Sequence, residues 1–121
     1  MFSGIVSNVG SVVDIVDRSD VKHVSIACDY MVSTIEMGAS IACAGICLTA
    51  VGKGYGEDGR AVFEVDLGPE TLWATNAASW DLGTRLNLER SLKVGDELSG
   101  HLVAGHIDGV ATILNREDIG E

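Results

Sequence analysis

Apolar side chains recur from the start of the chain at Ile5, Val9, Val12, Val13 and Ile15, and the loose two-residue spacing predicts a long first strand over residues 2–16. VKHVSIAC (21–28) alternates through Val21, Val24, Ile26 and Cys28 and predicts a second strand. The pattern lapses from Tyr30 to Met37, a short turn or helical segment. SIACAGICLTAVG then supplies two short strands meeting in a tight turn or bulge near Gly45. GKGYGEDG (52–59) predicts a hairpin tip, and RAVFEVDL (60–67) alternates cleanly as the returning strand. The period changes in GPETLWATNAAS. Pro69 suits a first helical turn, Glu70 complements a helix N-terminus, and Leu72 and Trp73 begin an apolar stripe, so a short helix is expected. TRLNLERSL (84–92) returns to alternation through Leu86 and Leu88.

About six strands and one short helix by residue 92 predict an all-β fold, a small closed or nearly closed barrel. The chain then repeats its own opening. LVAGHIDGVATI (102–113) aligns with MFSGIVSNVGSV (1–12) at a spacing of 101 residues, matching Gly105 to Gly4 and Val110 to Val9. Two identities in a dozen are suggestive only; as a repeat they imply a two-barrel design whose second barrel stops after its first strand. The expected division is 1–97 for the first barrel and 98–121 for the beginning of the second.

Composition narrows the function. With 18 acidic against 8 basic side chains, the net charge of −10 repels phosphate backbones, and aromatics are only 5%, so a nucleic-acid-binding barrel is disfavoured. No run approaches a membrane span and residues 1–20 lack a basic start followed by an apolar stretch, so a soluble, cytoplasmic protein with no membrane partner is expected. Three cysteines, Cys28, Cys43 and Cys47, make neither a disulfide framework nor a zinc ligand set.

MFSGIV at the start, GASIACAGICLTAVG, ETLWATN, and NLERSLKVGDELSGHLVAGHIDGVATI at the end together resemble the riboflavin synthase family over nearly the whole chain, in the family's order. The family usually has Asn where this chain has Ala44, a difference bearing on the turn at Gly45. The resemblance implies a six-stranded Greek-key barrel, the first of two in tandem, and assembly as a homotrimer at full length. A lone barrel has a route to a homodimer by exchanging its unpaired second-repeat strand. It further implies a dismutation of two 6,7-dimethyl-8-ribityllumazine molecules. A four-carbon unit passes from one to the other, leaving riboflavin and a diaminopyrimidine, with no metal and no redox cofactor. A non-catalytic barrel that holds lumazine or riboflavin is the alternative.

Such chemistry needs two flat substrates held face to face, a proton taken from one C7 methyl group and a nucleophile accepted at the other C7. The resemblance ties Phe2, Ser40, Cys47, His101 and His106 to catalysis. From the residues alone, Cys47 in an apolar strand reads first as a small buried hydrophobe and only second as a reactive thiol. Ser40 reads as a turn residue or a hydrogen-bonding group, and Phe2 as core or as an aromatic floor at a flexible terminus. His101 and His106, five apart, would face opposite sides of a strand and make a poor metal pair; His106, beside Gly105, is favoured to meet substrate. Substrate contacts, mostly through backbone, are expected at Gly4, Ile5 and Val6 and at Ile46, Cys47 and Leu48. A further set runs through Asp66, Leu67, Gly68, Pro69, Glu70 and Thr71. Thr49, Glu70 and Thr71 are candidates for ribityl hydroxyls, although Glu70 also fits simple helix-start polarity. Gly105, His106 and Ile107 repeat Gly4, Ile5 and Val6 position for position.

Overall fold

The computed structural model describes residues 1–120; position 121, the end of the expected second segment, lies outside them. In chain order the elements are β1 (Asn8–Arg18), β2 (Val21–Cys28), β3 (Ser40–Cys43), β4 (Ile46–Thr49), β5 (Gly52–Tyr55), β6 (Ala61–Leu67), α1 (Pro69–Ala74) and β7 (Arg85–Arg90). Single 3-10 turns occur at Val32–Thr34 and Ala77–Ser79.

All strands join one antiparallel sheet in the order β4-β3-β7-β1-β2-β6-β5. Its two end strands, β4 and β5, follow each other in the chain with only Ala50 and Val51 between them. They are two halves of one bent strand, so the sheet returns on itself. Across the bend, the Val51 amide donates to the Glu64 carbonyl at 2.8 Å and continues the pairing with β6. Six strand paths therefore appear as seven segments. The long connection from β6 through α1 brings β7 between β1 and β3, which gives the Greek-key order.

Alternation decides what faces the interior. On β6, Ala61, Phe63, Val65 and Leu67 are buried, and on β7 so are Leu86 and Leu88. They meet Val24 and Ile26 of β2, Ile41 and Cys43 of β3, and Ile46 and Leu48 of β4. Each large aliphatic or aromatic side chain so buried contributes roughly 1.5–3 kcal/mol. Leu72, Ala77 and Trp80, from the segment linking β6 to β7, pack on the same core, as do Tyr30, Val32 and Ile35 from the segment linking β2 to β3. No helix among the described residues is long and apolar enough to cross a membrane.

Three expectations need correction. The first strand starts at Asn8, not residue 2. Gly4 lies in the left-handed region at φ +85°, which breaks an extended run, and residues 1–6 form a strap outside the sheet. Residues 52–55, expected within a hairpin tip, are strand β5 paired to Ala61–Glu64; the tip proper is Gly56–Gly59. Glycine-rich GKGY shows little alternation because half its positions carry no side chain, and main-chain pairing makes it a strand. Finally, 102–113 does not form a strand. Val103 makes an isolated bridge to Phe2, and 104–120 contain no regular element. A strand is stabilised by neighbours along its edges, and this segment has almost none here.

Candidate functional site

The hairpin from β3 to β4 turns at Ala44 (φ +51°) and Gly45 (φ +82°), two successive left-handed residues that define a type I′ turn. This turn fixes which face each β4 residue presents. Ile46 and Leu48 point into the core, while Cys47 and Thr49 point outward. Cys47 is accordingly exposed, in contrast to a buried apolar thiol, whereas Cys28 and Cys43 are buried and their thiol pKa values are pushed up by desolvation.

Beside Cys47 lies an open cleft of about 320 Å³. Ile46 and Cys47 line one side. Glu70, Thr71, Ala74 and Thr75 of α1 and its C-terminal end line another. The remaining wall is the segment Ala104, Gly105, His106 and Ile107. Gly105 docks directly on β4, where the Cys47 amide donates to its carbonyl at 3.0 Å. The fit requires glycine. Gly105 has φ +81°, and a Cβ there would stand 2.9 Å from both the Cys47 Cβ and the Phe2 ring. Gly4, its counterpart in the expected repeat, shares the left-handed conformation.

His106 is exposed and its Nε2 lies 3.0 Å from the Asp108 carboxylate. The Thr75 hydroxyl donates to the Thr71 carbonyl at 2.7 Å and accepts from the Ala77 amide at 3.1 Å, fixing the end of α1 beside the cleft. None of the ten lining residues is Lys or Arg. The cleft thus carries an exposed thiol, an imidazole, one carboxylate, threonine hydroxyls and apolar wall. That set suits a neutral ring with polar substituents better than a phosphorylated ligand.

The other expected site residues lie outside this lining. Phe2 is 1% exposed, so it is an interior support under Gly105 and not an open aromatic floor. Ser40 begins β3 directly opposite Thr49 of β4. His101 is exposed outside the lining, and its backbone amide donates to the Ser3 carbonyl at 2.9 Å. Leu48 and Leu67 bury their side chains in the core. Gly68 is the residue preceding α1, and Pro69 opens the helix; neither lines the cleft. Ile5 and Val6 are exposed on the strap; Val6 and Gly4 border a second, small cavity of about 90 Å³ beside Phe2 and Glu89. The Asp66 side chain is held by His23, whose Nδ1 is 2.7 Å from it and whose Nε2 is 3.2 Å from Glu64. The Asp66 and then the Glu64 hydrogen bonds raise the His23 pKa above 6.5.

Sequence reasoning missed Glu89, a buried carboxylate bound to the strap, and Ala74, Thr75 and Ala104 in the wall. Glu89 occupies a position where alternation on β7 predicts exposure, so a single sequence holds no signal for it.

A family model for the lumazine binding domain matches residues 3–91. Riboflavin synthase from Brucella abortus (strain 2308) is 45% identical over 121 residues, covering 100% of this chain and 60% of that protein. Riboflavin synthase from Bacillus subtilis (strain 168) is 33% identical over 118 residues, covering 98% of this chain and 53% of that protein. Among solved structures, LumP complexed with 6,7-dimethyl-8-(1'-D-ribityl) lumazine superposes with a TM-score of 0.77 at 26% identity, covering 99% of this chain and 64% of that one. LumP complexed with riboflavin gives a TM-score of 0.73 at 25% identity, covering 90% and 56%. The chain spans about half to three-fifths of the length of the curated relatives it matches. With its family model, its barrel and its relatives in agreement, this chain belongs to the lumazine binding domain family.

Proposed function

We propose that this chain is the first lumazine-binding barrel and the opening of the second barrel of a riboflavin synthase, working within a homotrimer in the cytoplasm. The observation that carries the proposal is the cleft beside Cys47: an outward thiol on β4, faced by the Gly105–Ile107 wall and the Glu70–Thr75 wall, with no Lys or Arg among its lining residues.

In this reading a 6,7-dimethyl-8-ribityllumazine ring lies along β4 with its pyrimidinedione edge on main-chain groups near Ile46–Leu48. Thr71 and Glu70 hydrogen-bond the ribityl hydroxyls. A second lumazine, supplied by a matching pocket, stacks on the first, so that proximity provides much of the acceleration. One ring loses a C7-methyl proton, and the carbanion delocalises into its own heterocycle. Cys47 serves as nucleophile or proton carrier at C7 of the ring it touches, with His106 as its acid–base partner. Ser40 and Thr49, paired across β3 and β4, orient that ring. His101 and Phe2 hold the wall from behind.

A second reading, a barrel that binds lumazine or riboflavin without turnover, is favoured by one observation: the LumP complexes match almost the whole chain. Adding 6,7-dimethyl-8-ribityllumazine to the 121-residue protein and following riboflavin fluorescence separates the two. Riboflavin binding with slow or absent turnover is expected, since a stacked pair needs two pockets. Turnover at the rate of a two-barrel relative refutes that expectation, and no binding of either compound refutes both readings.

A further inference from the structure

The cleft wall opposite Cys47 has no sheet to hold it, because residues 104–107 belong to no strand. Its anchorage can be traced bond by bond. Cys47 holds Gly105 from the front. From behind, Val103 exchanges two main-chain hydrogen bonds with Phe2, at 2.7 and 2.8 Å, and the His101 amide donates to the Ser3 carbonyl. The wall therefore rests on the N-terminal strap. The strap is held at its start by the Leu92 amide, which donates to the Met1 carbonyl at 2.9 Å, and at Ser3 and Gly4 by one side chain. The Glu89 carboxylate accepts the Ser3 amide at 2.7 Å and the Ser3 hydroxyl at 2.9 Å on one oxygen, and the Gly4 amide at 2.9 Å on the other.

A carboxylate is suited to this task. Ser3 is buried, so its amide and hydroxyl need partners. The β7 carbonyls beside Glu89 are already engaged, Leu88 by the Ser7 amide and Asn87 by the Ala44 amide. Two consecutive amides, the second on a left-handed glycine, form a small concavity that favours an anion. Glu89 itself is absent from the cleft lining.

We propose that Glu89 is a positioning residue: through Ser3 and Gly4 it sets the N-terminal strap, and through the Phe2–Val103 bridge it sets the Gly105–His106 wall against Cys47. The link to ligand affinity rests on the function proposed above; the link to Cys47 does not.

The test compares wild type, Glu89→Gln and Ser3→Ala. Glu89→Gln turns one acceptor oxygen into an amide donor facing a strap N–H. Ser3→Ala deletes the strap's hydroxyl, with its bonds to Glu89 and from the Ile5 amide, and leaves both amide bonds to Glu89 and the charge, so it carries the test if Glu89→Gln does not fold. The first readout is the rate at which a thiol reagent labels Cys47, with buried Cys28 and Cys43 as internal controls. The second is hydrogen exchange in residues 1–6 and 99–106, with β2 and β6 as controls. The third is riboflavin affinity by quenching of its fluorescence. For Glu89→Gln, Cys47 labelling and strap exchange are expected to rise about tenfold and riboflavin affinity to fall about tenfold, the scale of one charge-assisted hydrogen bond, while the controls stay unchanged. Ser3→Ala is expected to move the same readouts about two- to threefold. Unchanged labelling and strap exchange in the folded variants overturn the proposal. Faster labelling and strap exchange with intact riboflavin affinity support the positioning of the wall and overturn its link to ligand binding. A wild type that fails to bind riboflavin overturns the proposed function instead, and the first two readouts still decide the role of Glu89.

Discussion

Ala44 offers the sharpest physical test of how the site is built. It sits at φ +51° in the first central position of the β3–β4 turn, followed by Gly45 at φ +82°. An L-residue in the left-handed region suffers a contact between its Cβ and the following carbonyl oxygen, costing about 1–2 kcal/mol; Asn tolerates the region better and Gly is free of it. Replacing Ala44 by Asn should recover about 0.5–1 kcal/mol of that strain. Glycine removes the strain entirely but gives back part of the gain, roughly 0.5–1 kcal/mol, through its more flexible unfolded chain. Ala44→Val adds a β-branched side chain at the same φ and should lose about 1–2 kcal/mol more. For 121 residues the unfolding entropy near the midpoint is about 0.25 kcal/mol/K, so 1 kcal/mol corresponds to roughly 4 °C. Thermal unfolding followed by circular dichroism should give Tm in the order Asn above Ala above Val. The expected shifts are about +2 to +4 °C for Asn and −4 to −8 °C for Val, with Gly level with or slightly above Ala. Because the turn sets which β4 residues face outward, Cys47 should label with unchanged kinetics in the Asn and Gly variants. Equal Tm for Val and Ala, or a lower Tm for Asn than for Ala, refutes the reasoning that this turn is strained.

Four further outcomes can be checked. Gly10→Ala should destabilise the barrel by about 1–3 kcal/mol in urea titration, since its Cβ would meet the Ala27 carbonyl oxygen at 2.7 Å and the Leu88 side chain at 2.7 Å. The pKa of His23 is raised in the folded state, so its stabilising effect is full below pH 6.5 and fades as pH rises through the raised folded value. Stability should decline over that window in the wild type, and less so in His23→Gln. In a full-length two-barrel protein, Cys47→Ser should lower the rate of riboflavin formation far more than riboflavin affinity; equal losses would mean a packing role. Because the cleft lining has no Lys or Arg and the chain carries a charge of −10, riboflavin should bind more tightly than its phosphate ester in equilibrium titrations at low salt.

The barrel itself was legible in the sequence because its strands alternate. RAVFEVDL and TRLNLERSL each declare an inward face, and Pro69 with Glu70 declares a helix start, from spacing alone. Neighbouring residues settle such features, so one sequence suffices. Part of the cleft lining, Cys47 and Gly105 to Ile107 among it, was named through resemblance, since CAGICLT and GHLVAGHIDG are distinctive strings. What tertiary structure decided is how distant segments share hydrogen bonds. The bend at Ala50–Val51 that closes the sheet depends on the two halves of one strand pairing with different partners, β4 with β3 and β5 with β6. The outward face of Cys47 depends on the turn at Ala44–Gly45, whereas the apolar letters around it point to burial. The N-terminal segment reads as strand by its apolar spacing, yet a glutamate 86 residues away captures its amides and makes it a strap. Main-chain hydrogen bonds leave no periodic trace in side-chain hydrophobicity, and a partner far along the chain lies beyond any local pattern; only the folded molecule shows which donor met which acceptor.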